Sequence, residues 1–180
     1  MTYNIAYLSL GSNIEPVKNL HAALELLAAK TRLVAVSSVW ETAPVGLTEQ
    51  PNFLNTAAIV ETDLTAEQLK QNVLAAIEQQ LGRVRQADKN APRPIDLDII
   101  LFNREIFQLG QRHIPDPEIA ERAFVAIPLA EIAPDYVHPE LGQTLAEIAQ
   151  GFELDKTRMH LRPHVLADTP LMMKIPRAKA

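Results

Sequence analysis

Two aspartates, Asp96 and Asp98, stand two positions apart in the apolar run IDLDIILF. In an extended strand, residues two apart share a face. The two carboxylates are therefore expected to project side by side, with Ile95, Leu97, Ile99 and Leu101 on the opposite face and in the core. Adjacent like charges are unfavourable, and aspartate is depleted in strands. A divalent cation offsets both costs. Oxygen donors in a chain without cysteine select Mg2+, completed by water and phosphate oxygens. A blander reading, two solvated acids at a strand end, is weakened by what precedes them. Arg83, Arg85, Lys89 and Arg93 crowd one short stretch in which Asp88 is the only acid. Guanidinium forks match phosphate oxygens, and lysine adds a point charge. Acids beside bases complement a metal–polyphosphate. The pattern predicts a magnesium-dependent transfer of a phosphate-containing group from ATP to a small acceptor.

A third segment runs from Thr42 to Asn55. Thr42, Pro44, Val45 and Gly46 follow one apolar run, and Phe53 and Asn55 begin the next. Backbone groups, an amide and an aromatic face together suit a flat heterocycle rich in donors and acceptors. Taken alone, these residues favour an ordinary strand connection with Phe53 in the core.

These residues must be held by a scaffold. Tyr3–Leu10 reads as a strand ended by Gly11-Ser12-Asn13, and Pro16 opens a helix with Val17, Leu20, Leu24 and Leu27 at helical spacing. Leu33–Thr42 and Asn55–Glu61 read as strands. Thr65 and Gln68 form a capping box at the start of a second helix, with Leu69, Val73, Ile77 and Leu81 on one face and Gly82 at its end. Ile95–Phe102 is the strongest strand. The order strand, helix, strand, strand, helix, strand is that of a ferredoxin-like α+β fold, βαββαβ with an antiparallel sheet. Residues 1–150 are expected to form one enzyme domain. Residues 151–180, polar and then basic, are expected to form a partly disordered extension.

Bulk properties narrow the function. The 180 residues are 47% hydrophobic and suit one domain with its own core. A net charge of -5 disfavours binding to long nucleic acid. No apolar stretch is long enough to span a membrane. The absence of a signal-like start and of cysteine fits a cytoplasmic protein. No phosphate-loop, dinucleotide-binding or nucleophile-elbow motif occurs. His160 and His164 are poor candidates for a metal pair, and His21 reads as a surface residue. Two rivals to the transferase reading stay open: a polymerase- or cyclase-type nucleotidyl transferase, and a regulatory module that binds a small ligand without turnover.

Four stretches in this order, LSLGSN, SSVWETAPVG with PNFLNTA, GRVR with PRPIDLDIILF, and IPDPEIAERAFVAIPLAEIAPD, resemble the 6-hydroxymethyl-7,8-dihydropterin pyrophosphokinases of folate synthesis. The resemblance covers roughly Ala6 to Pro139. It implies a monomeric enzyme that transfers pyrophosphate from ATP to the pterin hydroxymethyl group and releases AMP. It also implies two magnesium ions on Asp96 and Asp98. Arg83, Arg85, Arg93 and Arg122 match basic positions near the phosphates, with Arg83 and Arg93 catalytic, and Ile99 matches a nucleotide contact. Thr42, Pro44, Val45, Gly46, Asn55 and Asp96 match pterin-binding positions. Phe53 and Phe124 match aromatics that sandwich the ring, and Glu78 matches a helix carboxylate. Three positions depart from the pattern. Asp116 stands where many members have histidine, Lys89-Asn90-Ala91 replaces a basic-aromatic-glycine run, and Ala43 replaces a proline.

Overall fold

The computed structural model describes residues 3–46, 49–84, 90–167 and 170. Strand β1 (Asn4–Ser12) leads to helix α1 (Pro16–Lys30), whose residues Leu20, Leu24 and Leu27 are buried. The expected strand Leu33–Thr42 is two strands, β2 (Arg32–Val36) and β3 (Trp40–Thr42), which pair in succession with the long strand β4 (Phe53–Thr62). The break falls at Ser37. Its backbone N–H donates to the Ala57 carbonyl, and its hydroxyl accepts from the Ala57 N–H.

The second helix begins as α2 (Ala66–Gln68), and the capping box of Thr65 and Gln68 is present. It passes through a π-helical stretch, Leu69–Leu74, into α3 (Ala75–Gln80). A π turn holds one more residue than an α turn, and such turns recur at functional sites. Leu69, Val73 and Ile77 still face the core, and Gly82 ends the helix at φ +83°, a conformation that glycine adopts without steric cost. Strand β5 (Asp96–Phe102) follows.

The sheet runs β5-β1-β4-β3, with β2 also on β4, and its pairings are antiparallel. That is the predicted ferredoxin-like arrangement. One face packs on α1 and the α2–α3 helix through Leu8, Leu10, Leu24, Leu69, Ile77 and Leu97. A hairpin, β6 (Phe107–Leu109) and β7 (Arg112–Ile114), leads to α4 (Glu118–Glu121) and α5 (Ala123–Ile132). With α6 (Leu145–Gln150), α5 covers part of the other face through Val125, Leu129 and Ile148.

One expectation fails in β5. Leu8 pairs with Ile99 but Tyr7 pairs with Leu101, so Ile100 is an extra residue, a β-bulge. Ile95, Leu97 and Ile99 enter the helix-side core as expected. Leu101 joins Ile100 in the opposite core instead, because the bulge resets the alternation.

The extension beyond Gly151 is packed through Leu166. Helix α7 (Leu154–Thr157) leads to β8 (His160–Leu161), which pairs with β3. Met159 and Leu166 are buried, and the His21 ring contacts the Val165 carbonyl. Residues 168–169 and 171–180 lie outside the described residues.

Candidate active site

Strand register builds the site. Asp98 lies beside Ser9, and Asp96 beside Gly11, which in turn lies beside Asn55. Cross-strand partners share a face, so both acids point to the side of the sheet that α5 and α6 leave uncovered at this end. An 890 Å³ cavity opens there, lined by both carboxylates. Space beside Gly11 is tight. A Cβ would come within 3.1 Å of the Asn55 Oδ1 and 3.9 Å of the Phe53 ring.

The expected bases converge on the acids. Arg83 Nη1 lies 2.7 Å from Asp96 Oδ1, and Arg93 Nη1 lies 2.6 Å from Asp96 Oδ2. Arg83 also donates to the Ile95 carbonyl at 2.7 Å, and the Arg93 guanidinium sits 5.6 Å from the centre of the Phe53 ring. Burial, and then the neighbouring Asp96 charge, push Asp98 up to about 7, although the nearby Arg112 opposes this. A carboxyl so destabilised in its charged form is a candidate functional group. Among the described residues no third acid or histidine joins the pair in a metal-holding group. Two carboxylates alone suit Mg2+, which keeps positions for water and phosphate oxygens.

The GSN turn fixes the approach to β5. The Asn13 and Ile14 N–H groups donate to the Arg93 carbonyl, the Asn13 side-chain oxygen accepts from the Arg93 N–H at 2.8 Å, and the Ser12 hydroxyl donates to the Pro94 carbonyl. Glu78, whose role the sequence left open, is buried and accepts from the Leu97 N–H at 2.8 Å. It thus ties α3 to the strand segment between the acids.

On the other side of the cavity, the Asn55 amide donates to the Thr42 hydroxyl at 2.8 Å, and both residues are buried. Thr42, Val45, Phe53, Asn55, Arg122 and Phe124 line the cavity. Gly46, at φ +83°, lies against Asn90, where a Cβ would meet the amide at 2.6 Å. Gln50 donates to the Asn90 carbonyl at 2.8 Å, which links the loop after β3 to the end of the basic stretch. Pro44, Gly46 and Ile99 do not line the cavity, and the Ile99 side chain is in the core. Arg85 and Lys89 lie outside the described residues.

Two cationic cavity residues escaped the sequence reading. Lys70 comes from the π-helical stretch. Arg112 comes from β7 and bridges Asp98 Oδ1 at 3.0 Å and Asp116 Oδ2 at 3.1 Å. The available signal was Asp116, an anion at a position that departs from the family pattern, with an arginine four residues before it.

Residues 7–134 match the family described as 7,8-dihydro-6-hydroxymethylpterin-pyrophosphokinase (HPPK). A 2-amino-4-hydroxy-6-hydroxymethyldihydropteridine pyrophosphokinase of Haemophilus influenzae is 39% identical over 161 residues, 88% of this chain and 98% of that protein. The protein of the same name from Bacillus subtilis is 45% identical over 132 residues, 72% of this chain and 78% of that protein. A crystal structure of Plasmodium falciparum HPPK-DHPS is similar in fold, with TM-score 0.68 at 16% identity, over 83% of this chain and 45% of that longer one. With this match over most of its length, and with acids, arginines and a polar aromatic pocket around one cleft, the chain belongs to the 7,8-dihydro-6-hydroxymethylpterin-pyrophosphokinase family.

Proposed function

We propose that this cleft is where pyrophosphate passes from ATP to the hydroxymethyl group of 6-hydroxymethyl-7,8-dihydropterin, releasing AMP. The observation that carries the reading is the convergence of Arg83, Arg93 and Arg112 on an acid pair in a cavity that also holds Thr42, Phe53 and Asn55. Asp96 and Asp98 would hold the magnesium, two ions in this reading, which neutralises phosphate charge when bound. Thr42 and Asn55 offer a hydroxyl and an amide to the ring edge, while Phe53 and Phe124 offer apolar faces. Val45 completes that wall.

The acceptor hydroxyl attacks the middle phosphorus in line: one P–O bond forms as the bond to the AMP oxygen breaks, and the hydroxyl proton is released to solvent. Arg83, Arg93 and Arg122 stabilise charge on the transferring group and on the leaving phosphate, a role that the family pattern extends to Arg85. Positioning and electrostatics supply most of the acceleration. One chain furnishes both halves of the cleft, which supports reading the enzyme as a monomer.

Incubation with ATP, Mg2+ and the hydroxymethyldihydropterin tests the reading. AMP and the pterin diphosphate are expected in equal amounts. ADP or free pyrophosphate as the nucleotide-side product would overturn it.

A further inference from the structure

Arg112 grips two carboxylates whose situations differ. Asp116 is 4% exposed and fixed: its N–H donates to the carbonyl of the bulge residue Ile100 at 2.9 Å, and its Oδ1 accepts from the Glu118 N–H at 2.9 Å. Asp98 stands at the cavity wall, where cation and polyphosphate belong. The Arg112 side chain is 41% exposed, whereas those of Arg83 and Arg93 are 18% and 19% exposed and hold further contacts. One end of the bridge is therefore anchored in the fold and the other lies in the cleft. A guanidinium and a divalent cation compete for the same Asp98 oxygen. Arg112 can yield that oxygen without being left unpaired, because Asp116 retains it.

We propose that Arg112 is an exchangeable counter-charge: it neutralises Asp98 in the metal-free protein, yields Asp98 to the incoming cation, and then turns its fork, still tethered to Asp116, onto the polyphosphate. Asp116 is in this scheme a positioning residue that acts through Arg112. The proposal rests on the cleft being the pyrophosphokinase site. Its test uses binding, so its failure is distinct from a failure of turnover in the unaltered enzyme.

The full chain is titrated with Mn2+ alone by electron paramagnetic resonance, and with Mg2+ plus α,β-methylene ATP by calorimetry, at about pH 8.5, above the usual carboxylate range. Arg112→Ala should bind Mn2+ about five-fold tighter or more, and the nucleotide about ten-fold more weakly, opposite signs that follow from losing first a competitor and then a ligand. Arg112→Gln is the second variant should Ala lower the melting temperature. Asp116→Asn should weaken Mn2+ binding in the unaltered background but not in Arg112→Ala, a coupling that a double-mutant cycle reads directly. Unchanged binding of both ligands in Arg112→Ala and Arg112→Gln, or the same Asp116→Asn effect in both backgrounds, would overturn the proposal.

Discussion

Asp98→Asn should make the metal-free protein more stable while abolishing turnover. A carboxyl raised from 3.8 to about 7 holds its proton more tightly in the folded chain than in the unfolded one. Its contribution to stability is complete below about pH 4 and is lost as pH climbs through about 7. Converted in full at about 1.4 kcal/mol per pH unit, the displacement corresponds to about 4 kcal/mol. The side chain is 25% exposed to cavity water, and solvent screening reduces the expectation to about 2 kcal/mol. For a chain of this size that is a rise in Tm of about 4–8 °C. Asparagine has nearly the same shape and can still accept from Arg112, so little else changes. Thermal and urea denaturation in EDTA, from about pH 4.5 to 8.5, read the effect against the carboxylate range. The two proteins should coincide at the acid end and separate as pH rises, with the variant ahead. If the curves stay parallel, or if the variant is weaker above neutrality, the picture of a charge held at a cost for its ligand is wrong. Normal turnover by the folded variant would remove the metal-binding role.

Arg93→Ala should lower kcat/KM by about 30-fold or more, about 2 kcal/mol, the scale of a lost charge-assisted donor, as measured in steady-state assays. Glu78→Ala should cost about 1–3 kcal/mol in urea denaturation, because the buried Leu97 N–H loses its acceptor, and Glu78→Gln should recover most of it. Gly11→Ala should raise KM for the pterin far more than KM for ATP, since the new methyl crowds Asn55 at 3.1 Å and not the arginines.

The fold was legible where period and punctuation agree. The capping box at Thr65, the stop at Gly82 and the alternation up to Ile99 are local signals, and each holds. The acid pair was legible for the same reason, because period two fixes a shared face whatever else happens. The π-helical stretch and the Ile100 bulge were not, since each inserts one residue to satisfy packing that only the assembled sheet and helices define. Ser37 shows the same limit, because a break between β2 and β3 depends on pairing with Ala57 across the sheet. Arg112 was missed because its partner Asp98 is fourteen positions away and comes within reach only through the β6–β7 hairpin. Basic residues near the acids in sequence were easy to assign, whereas one that is near only in space was not.

The strand His160–Leu161 lies outside the stretch that matches the family, yet it pairs with β3, the strand that carries Thr42 to the cleft. Its outward residues are exposed, and Arg162 adds an ion pair to Glu41 at 2.9 Å and a backbone bond to Val39. A chain cut at Gly151 would retain both acids and their arginines, but β3 would present bare amide and carbonyl groups to other molecules. Uncovered sheet margins of that kind are where separate copies join strand to strand. Removal of the C-terminal segment should therefore show first as precipitation on storage, with catalytic power per dissolved molecule largely kept.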